Sequence, residues 1–397
     1  MSAPSDQDSF EHVDWDAIDS GRPTLSPQRL LLLVGGGLLL ALYLYNIYVA
    51  HVYLVGTIEV NYADWLFLFC ALVLVAYGGV PLVRDRSLAR RLLSAVWSRP
   101  LYKAGGVGFA GFVFFGLFGP LILGQPKLHF VHAFHPPVGF TGQFGYTIEC
   151  VGEPIPTEGV DFLCEGSLLH PLGTNHRGHS MSFLLVLGAR VALYIAAFTA
   201  AVIVPLATAV GVVAGLRGGL VDDLLMTYAD IQMCVPAILL YFIGYFYFNG
   251  SLLLLLGTFA LFSWAGLARL VRSEVIQHRG DGHVLVARSL GASRAYVAKR
   301  HILPNITNTL VPALFHLIAL LVLVEAGVAF LGFSDVSLHS WGMTIANGLD
   351  PVSLDRATPI DIWWVSTVPA LGLLLTLASL KLVGDSLRDA FDPRGAE

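Results

Sequence analysis

Between Ile231 and Ala268 the chain runs for 38 residues without one Asp, Glu, Lys or Arg. A helix crosses the hydrocarbon core of a bilayer in about 20 apolar residues, so this stretch is too long for one span and about right for two. Asn249-Gly250 supplies the hairpin between them. The remainder of the 397-residue chain is similar in kind. With 55% hydrophobic and only 13% charged residues, it can neither cover a soluble surface nor stay solvated as a disordered chain. A formal charge of −5 offers nucleic acid no basic footprint, so no nucleic-acid partner is expected. Four cysteines without a CxxC pair make no disulfide scaffold. The chain reads as an all-α integral membrane protein, with the lipid bilayer as its first partner.

Eight windows are long and apolar enough to cross: 30–50, 62–83, 104–123, 191–216, 224–248, 251–268, 306–332 and 362–383. Two of them hold an acid near one end, Asp64 and Asp230. Residues 1–29 are rich in Asp and lack the positive start of a signal peptide, so they read as a solvated cytoplasmic tail. Residues 84–103 carry Arg84, Arg86, Arg90, Arg91, Arg99 and Lys103 against Asp85. Residues 269–301 carry Arg269, Arg272, Arg279, Arg288, Arg294, Lys299 and Arg300 against Glu274 and Asp281. The stretches 125–180 and 333–361 are acidic instead. Eight crossings put both basic segments on one side and both acidic loops on the other. Since basic loops stay inside, both termini are expected in the cytoplasm of a multi-pass protein of the plasma membrane.

The segment 269–305 is long, basic and patterned. His283–Leu290 forms a short amphipathic helix, Gly291 permits a left-handed stop, and Ser293 can cap a second helix through His301. Pro304 then reopens the chain into the next span. Two short helices hinged at a glycine, on the face of a membrane, form a surface that can be pushed.

At 285–293 the sequence reads LeuValAlaArgSerLeuGlyAlaSer, followed at 300–305 by ArgHisIleLeuProAsn. This resembles the EAA loop of ABC importer permeases. HisProLeuGlyThr at 170–174, GlyAlaArgVal at 188–191, GlyGlyLeuValAspAspLeuLeuMet at 218–226, GluAlaGlyValAlaPheLeuGlyPhe at 325–333, SerTrpGly at 340–342 and GlyAspSerLeuArgAspAlaPheAspProArg at 384–394 follow the order seen in the peptide/nickel (dipeptide/oligopeptide) importer family, C-type subunit. The resemblance covers roughly residues 85–394. It implies the type I ABC importer permease fold, a six-helix core, preceded here by two additional N-terminal transmembrane helices.

It divides the chain into an acidic cytoplasmic tail (1–29), the two extra helices (30–83), and a basic cytoplasmic segment with the first core helix (84–124). An extracytoplasmic loop (125–180), the permease core with its coupling loop at 271–305 (181–384), and a cytoplasmic tail (385–397) complete it. The resemblance further implies two ATP-binding subunits, a second homologous permease and an extracytoplasmic substrate-binding protein as partners. ATPase coupling would fall to Leu285, Val286, Ala287, Leu290, Gly291, Ala292, Ser293, Leu303 and Pro304. No P-loop occurs in the chain, so ATP hydrolysis is expected on a separate subunit, and this chain is expected to be no enzyme and to need no cofactor. There are departures: the glutamate of the EAA motif falls at Leu285, its first alanine at Val286, and Asn175 stands where the family has an aspartate after HPLGT.

Some residues stay open between a functional and a plain reading. Asp230 and Glu325 either line a translocation path or pair with neighbouring helices; unpaired at mid-bilayer, each would cost about 2.5–3.5 kcal/mol. Cys150 and Cys164 either form a disulfide, worth about 3 kcal/mol in a chain-entropy model, or stay as thiols. Cys70 and Cys234 read as packing residues. Gly35-Gly36-Gly37 either lets a helix approach or is only a flexible part of an anchor. Histidines 129, 132, 135, 170, 176 and 179 crowd one loop, but HisAlaPheHisProPro cannot continue a helix, and no metal site is expected. An ion-coupled secondary transporter would need broken helices at the midplane in repeated halves, and no repeat is evident. A membrane-embedded metalloenzyme would need its histidines on the cytoplasmic side.

Overall fold

The structure, a computed structural model, describes residues 26–50, 60–124, 128–143, 149–156, 162–335, 338–349 and 358–391. Residues 1–25 of the acidic tail expected over 1–29 and the chain end 392–397 lie outside the described residues, and the last residues of that expected tail already belong to the first helix, which starts at Pro27. Seven helices are long and apolar enough to cross a membrane. They are α1 (Pro27–Val49), α2 (Tyr62–Arg84), α4 (Pro100–Leu123), α5 (Met181–Arg217), α8 (Leu252–His278), α11 (Thr307–Phe330) and α13 (Trp364–Phe391). Shorter helices fill the order: α3 (Arg86–Val96), α6 (Gly219–Cys234), α7 (Ala237–Phe248), α9 (Gly282–Ser289), α10 (Arg294–Val297) and α12 (Trp341–Asn347).

The window 224–248, expected as one span, is instead the pair α6–α7, bent by 68°. The cause is Pro236. It has no N–H to donate, and its ring displaces the carbonyl four residues back. The Gln232 carbonyl accepts from Val235 N at 3.1 Å instead. The pair still carries the chain from one end of the bundle to the other. At its start, Asp222 is bonded to Arg272 near the end of α8. At its far end, Tyr241 donates to the Phe333 carbonyl just beyond α11, at 2.8 Å.

Three spans outrun their expected windows. Arg190 does not stop α5, because Asp64 of α2 and Tyr194 one turn on take up its guanidinium. Helix α5 therefore runs 37 residues, about 55 Å at 1.5 Å per residue, with a π-turn at Thr199–Ile203. Helix α8 continues beyond its apolar window through Arg269 and Arg272 to His278, in accord with the sequence, in which Arg272–Gln277 reads as the end of that helix, and α13 continues past Gly384 to Phe391, so part of the expected C-terminal tail is helix. Tyr102 at the start of α4 donates to Asp389 at the end of α13, at 3.0 Å. That contact gathers Arg84–Lys103, the 279–306 segment and the end of α13 at one end of the bundle.

The opposite end carries a cap. Its three short antiparallel strands are the one non-helical layer among the described residues. They are β1 (Thr141–Gln143), β2 (Pro154–Pro156) and β3 (Phe162–Glu165), in the order β1-β3-β2. Gly142 and Pro154 both pair with Cys164 on the central strand. Cys164 is joined to Cys150 in a disulfide. The HisProLeuGlyThr segment ties the cap to the helices. Thr174 Oγ1 accepts from His135 N (2.8 Å) and donates to the His132 carbonyl (2.6 Å), and the Trp364 indole donates to the Thr174 carbonyl (3.0 Å). Gly173 has φ +80° and lies against that indole. Asn175 Oδ1 accepts from the backbone N–H of Arg177 and of His179, at 3.0 and 2.9 Å, and so holds the turn that follows HisProLeuGlyThr.

The six cap histidines make no group that could hold a metal among the described residues. His132 Nδ1 lies 3.1 Å from His170 Nε2, and the rings of His135 and His170 are 5.7 Å apart. Burial, reinforced by the charge His132 would carry, pushes His170 down to about 4. Burial, together with His339 and Arg177, does the same to His179. An unfolded chain takes these protons near 6.5, so unfolding binds protons between the two values. The cap is therefore at full stability above pH 6.5 and weakens as the pH falls toward 4. Limited proteolysis of detergent-solubilised protein should show residues 128–180 cut faster at pH 4.5 than at pH 7.5, with the bundle itself unaffected.

Candidate functional site

Helices α5 and α8 approach each other through two glycines four residues apart. A Cβ at Gly211 would meet the Ala268 carbonyl at 2.5 Å and Val271 at 2.7 Å; one at Gly215 would meet Val275 at 2.7 Å. Small residues at this spacing let helix backbones come close in a membrane. Polar clasps lock the same contact at its end. Arg272 forks onto Asp222, Nε to Oδ1 at 2.7 Å and Nη2 to Oδ2 at 2.5 Å, and Arg279 donates to the Gly215 carbonyl at 2.8 Å. Sequence reasoning did not single out Gly211, Gly215, Asp222 or Arg272 as site residues. The GlyValValAlaGly run was the available signal for the first two; the ion pair, 50 residues apart, left none.

From this rigid base the chain turns at His278, which holds Asp281 through Nδ1 at 2.9 Å, into α9. Val284 is fully buried, and so are Val297, Ile302 and Ile306 beyond the turn; these four anchor the loop in the core. The other face of α9 looks outward. Leu285 is 51% exposed, Val286 59% and Leu290 52%, which leaves an apolar tip on a segment flanked by Arg288, Arg294 and Lys299. Such a tip is the part of the loop that a partner would cover.

The stop at Gly291 is a Schellman motif: Gly291 N donates to the Arg288 carbonyl and Ala292 N to the Ala287 carbonyl, both at 3.0 Å. Gly291 has φ +86°, a conformation that side chains resist, although open space surrounds it. Ser293 then caps the next turn, accepting from Tyr296 N at 3.2 Å. Pro304 does not reopen the chain. Helical turns run from α10 through Ala298–Ile302 and Leu303–Asn305 to the single bend at Ile306, where α11 begins. Proline suits the first turn of a helix, where its missing N–H is not needed. Leu303 is half-buried there and Pro304 exposed. The second arm of the loop thus runs helically into α11, while the first, α9, is joined to α8 by the turn at Arg279–Asp281.

The structure brings together the residues of the 285–304 segment that were expected to couple and keeps the other candidates apart from them. Asp230 pairs with Arg269 at 3.1 Å on the surface of α6 and α8. Glu325 is buried near the far end of α11, bonded with Ser340. It lines a small cavity with Tyr241, Ser251 and Asp335. Trp341 of the SerTrpGly motif donates to the Leu185 carbonyl at 2.9 Å and lies over Gly188, while Gly342 rests on the Ala326 backbone. Cys150 and Cys164 belong to the cap. Cys70 is buried as expected; Cys234 is exposed, because its helix ends there.

The family model for the binding-protein-dependent transport system inner membrane component matches residues 207–396. A putative peptide transport system permease protein of Brucella suis is 33% identical over 231 residues, 57% of this chain and 74% of that protein. The oligopeptide transport system permease protein OppC of Bacillus subtilis is 27% identical over 226 residues, 57% of this chain and 72% of its own length. The dipeptide transport system permease protein DppC of the same organism is 25% identical over 226 residues, with 57% and 69% covered.

If the α5–α8 contact is as tight as its glycines indicate, Gly211→Val should overpack it at a cost of about 1–3 kcal/mol. Thermal unfolding of the purified protein should show the loss. Gly266→Val, where a Cβ has nothing within 4 Å, serves as the control and should change little.

Proposed function

The chain belongs to the binding-protein-dependent transport system inner membrane components, and from that footing we propose that it is the permease subunit of an ATP-driven importer of di- or oligopeptides. The substrate class rests on the similar proteins, whose names are those of peptide, oligopeptide and dipeptide permeases. The observation that carries the mechanism is the exposed apolar tip of α9, which a short turn joins to α8 and beyond which helical turns lead into α11. A motor protein seating Leu285, Val286 and Leu290 in a cleft would pull on both spans at once. Gly291 lets the two arms change angle, with Ala287 and Ala292 supplying the paired backbone bonds of the hinge and Ser293, Leu303 and Pro304 keeping the second arm helical. With the family's glutamate replaced by Leu285, the grip on the motor is chiefly apolar.

The partners of this reading are two ATP-binding subunits, a second permease and an extracytoplasmic binding protein. Arginines at the α9 end of the bundle favour the cytoplasm for that end and for both termini. The cap would then face the binding protein, with its disulfide on the oxidising side. Asp230, half exposed beside Arg269, would face the path between the permease halves, where water can reach a carboxylate, whereas Glu325 is held inside this half against Ser340. Transport needs no chemistry on the solute, and the chain's own residues bind, hinge and transmit.

Two substitutions test the lever. Gly291→Val forces a β-branched residue into a left-handed backbone at a cost of about 1–2 kcal/mol. It should leave the protein in the membrane at normal level but lower ATP-driven peptide uptake at least tenfold. Leu290→Asp should reduce co-purification of the ATPase subunits from native membranes. Normal coupled uptake in the first and undiminished ATPase recovery in the second would refute the lever.

A further inference from the structure

Helix α3 joins two membrane crossings, and its place follows from that. It begins just after α2 ends at Arg84 and stops just before α4 begins at Pro100. Its 11 residues reach about 16 Å at 1.5 Å each, half of a hydrocarbon layer roughly 30 Å thick, so it is no further crossing. It is held at the end of the bundle where those two spans end. One side of it is packed. Leu88, Leu92 and Val96 recur every four residues and are half-buried. A Cβ on Gly106 of α4 would meet Val96 at 2.5 Å, and α3 also packs on α13.

The other sides are open. Arg86, Arg90 and Leu93 follow at i, i+4 and i+7, and Trp97, where the helix ends, falls in the same line. Leu93 is 60% exposed and Trp97 50%. Arg91 is exposed as well, and so is Arg84 at the end of α2. None of Arg84, Arg86, Arg90 and Arg91 has an ion-pair partner among the described residues. The acids at this end are engaged elsewhere. Asp85 caps α3, its Oδ1 accepting from Ser87 N at 3.0 Å and from Leu88 N at 3.1 Å. Asp385 lies 3.9 Å from Lys381, and Asp389 accepts from Tyr102 and lies 3.8 Å from Arg99. Four guanidinium groups in one short stretch are thus left without a counter-charge from the described chain.

We propose that α3 is a docking surface for anionic phospholipid: headgroup phosphates accept from Arg84, Arg86, Arg90 and Arg91, while Leu93 and Trp97 enter the boundary between headgroups and acyl chains. A guanidinium presents paired N–H donors that match phosphate oxygens, and tryptophan settles at headgroup level. Setting the orientation of the chain needs only a count of basic residues. It does not need them on the open sides of one helix, with the neighbouring acid turned into its cap. A protein pocket would be met by apolar side chains gathered in one patch, as on α9. On α3 they are interleaved with arginines, the pattern of a helix that lies in the membrane interface. Bound headgroups would hold the start of α4, through Val96, and the end of α13 at the membrane surface.

The full-length chain in nanodiscs of phosphatidylcholine, with or without phosphatidylglycerol, tests this by amide hydrogen exchange read over residues 86–97. Exchange there should be at least fivefold slower with phosphatidylglycerol, and the difference should shrink in high salt, which screens the attraction. Arg86→Gln, Arg90→Gln and Arg91→Gln together should abolish the difference and leave exchange in α5 and α8 unchanged. Equal exchange of the unsubstituted chain in the two lipids would overturn the proposal, whether or not the triple variant folds. The same protection from inorganic phosphate in phosphatidylcholine discs would overturn it too, since the site would then take any small anion. Protection that appears only when ATPase subunits are added would make the surface a protein contact and also overturn it. The lipid comparison uses neither nucleotide nor solute, so its result is independent of the transport reading.

Discussion

The close approach of α5 and α8 is the contact on which the rest of the molecule depends. A bilayer gives helices no hydrophobic reason to associate, because lipid tails are as apolar as leucine. Close van der Waals contact and a few polar clasps must do it instead. Gly211 and Gly215 bring the backbones together, and the Arg272–Asp222 fork closes the end of the contact where water can reach it. The first arm of the α9 loop leaves from this base, and the second leads into α11. Were α8 free to slide on α5, a push on α9 would be dissipated in the sliding. Rigidity at the base is what makes flexibility at Gly291 useful.

Much of this was legible in the sequence because it is local. The absence of charge over 231–268 announced two crossings, and Gly291 followed by Ser293 announced a stop and a new start. The backbone bonds at those two residues are what those residue types make. Window ends were misread where a distant partner removes the cost of a charge. The apolar window 191–216 begins just after Arg190, and the helix runs through that residue because Asp64, 126 residues earlier, neutralises it. No local pattern contains that pairing. Pro236 was visible, yet its consequence was not, since a proline in a membrane helix can kink it, break it or sit quietly, depending on what its neighbours offer. Asn175 needs no distant partner either: its side-chain oxygen accepts two N–H groups within four residues, which is what Asn does in a turn.

Broken helices at mid-membrane are also a mark of ion-driven transporters, so the bend at Pro236 alone does not separate the two classes. The separation comes from the opposite end of the same helices. An ion-driven carrier has no need of a rigid loop that displays apolar side chains to water, and such display is costly unless something covers it. In this chain the break and the loop share α8: one lies near its middle, the other at its end. A push on the loop would thus reach the break, which Gln232 ties to the Leu261 carbonyl, through about four turns of continuous helix.

The two helices outside the family pattern are bound to the core by charge. Asp64 uses both carboxylate oxygens. Oδ2 accepts from the Asn61 backbone N–H at 2.8 Å and closes the start of α2, while Oδ1 takes Arg190 at 2.6 Å and the Tyr194 hydroxyl. Arg190 belongs to the GlyAlaArgVal segment that the family resemblance picked out, so the added hairpin meets the core at one of its shared residues. Either charge left alone within the membrane would cost about 2.5–3.5 kcal/mol on insertion scales. Each is therefore tolerable chiefly because the other is present. The α1–α2 hairpin is for this reason part of the permease fold and no detachable anchor. Its contact lies on α5, the helix that also carries Gly211 and Gly215, so whatever steadies the hairpin steadies the base of the lever.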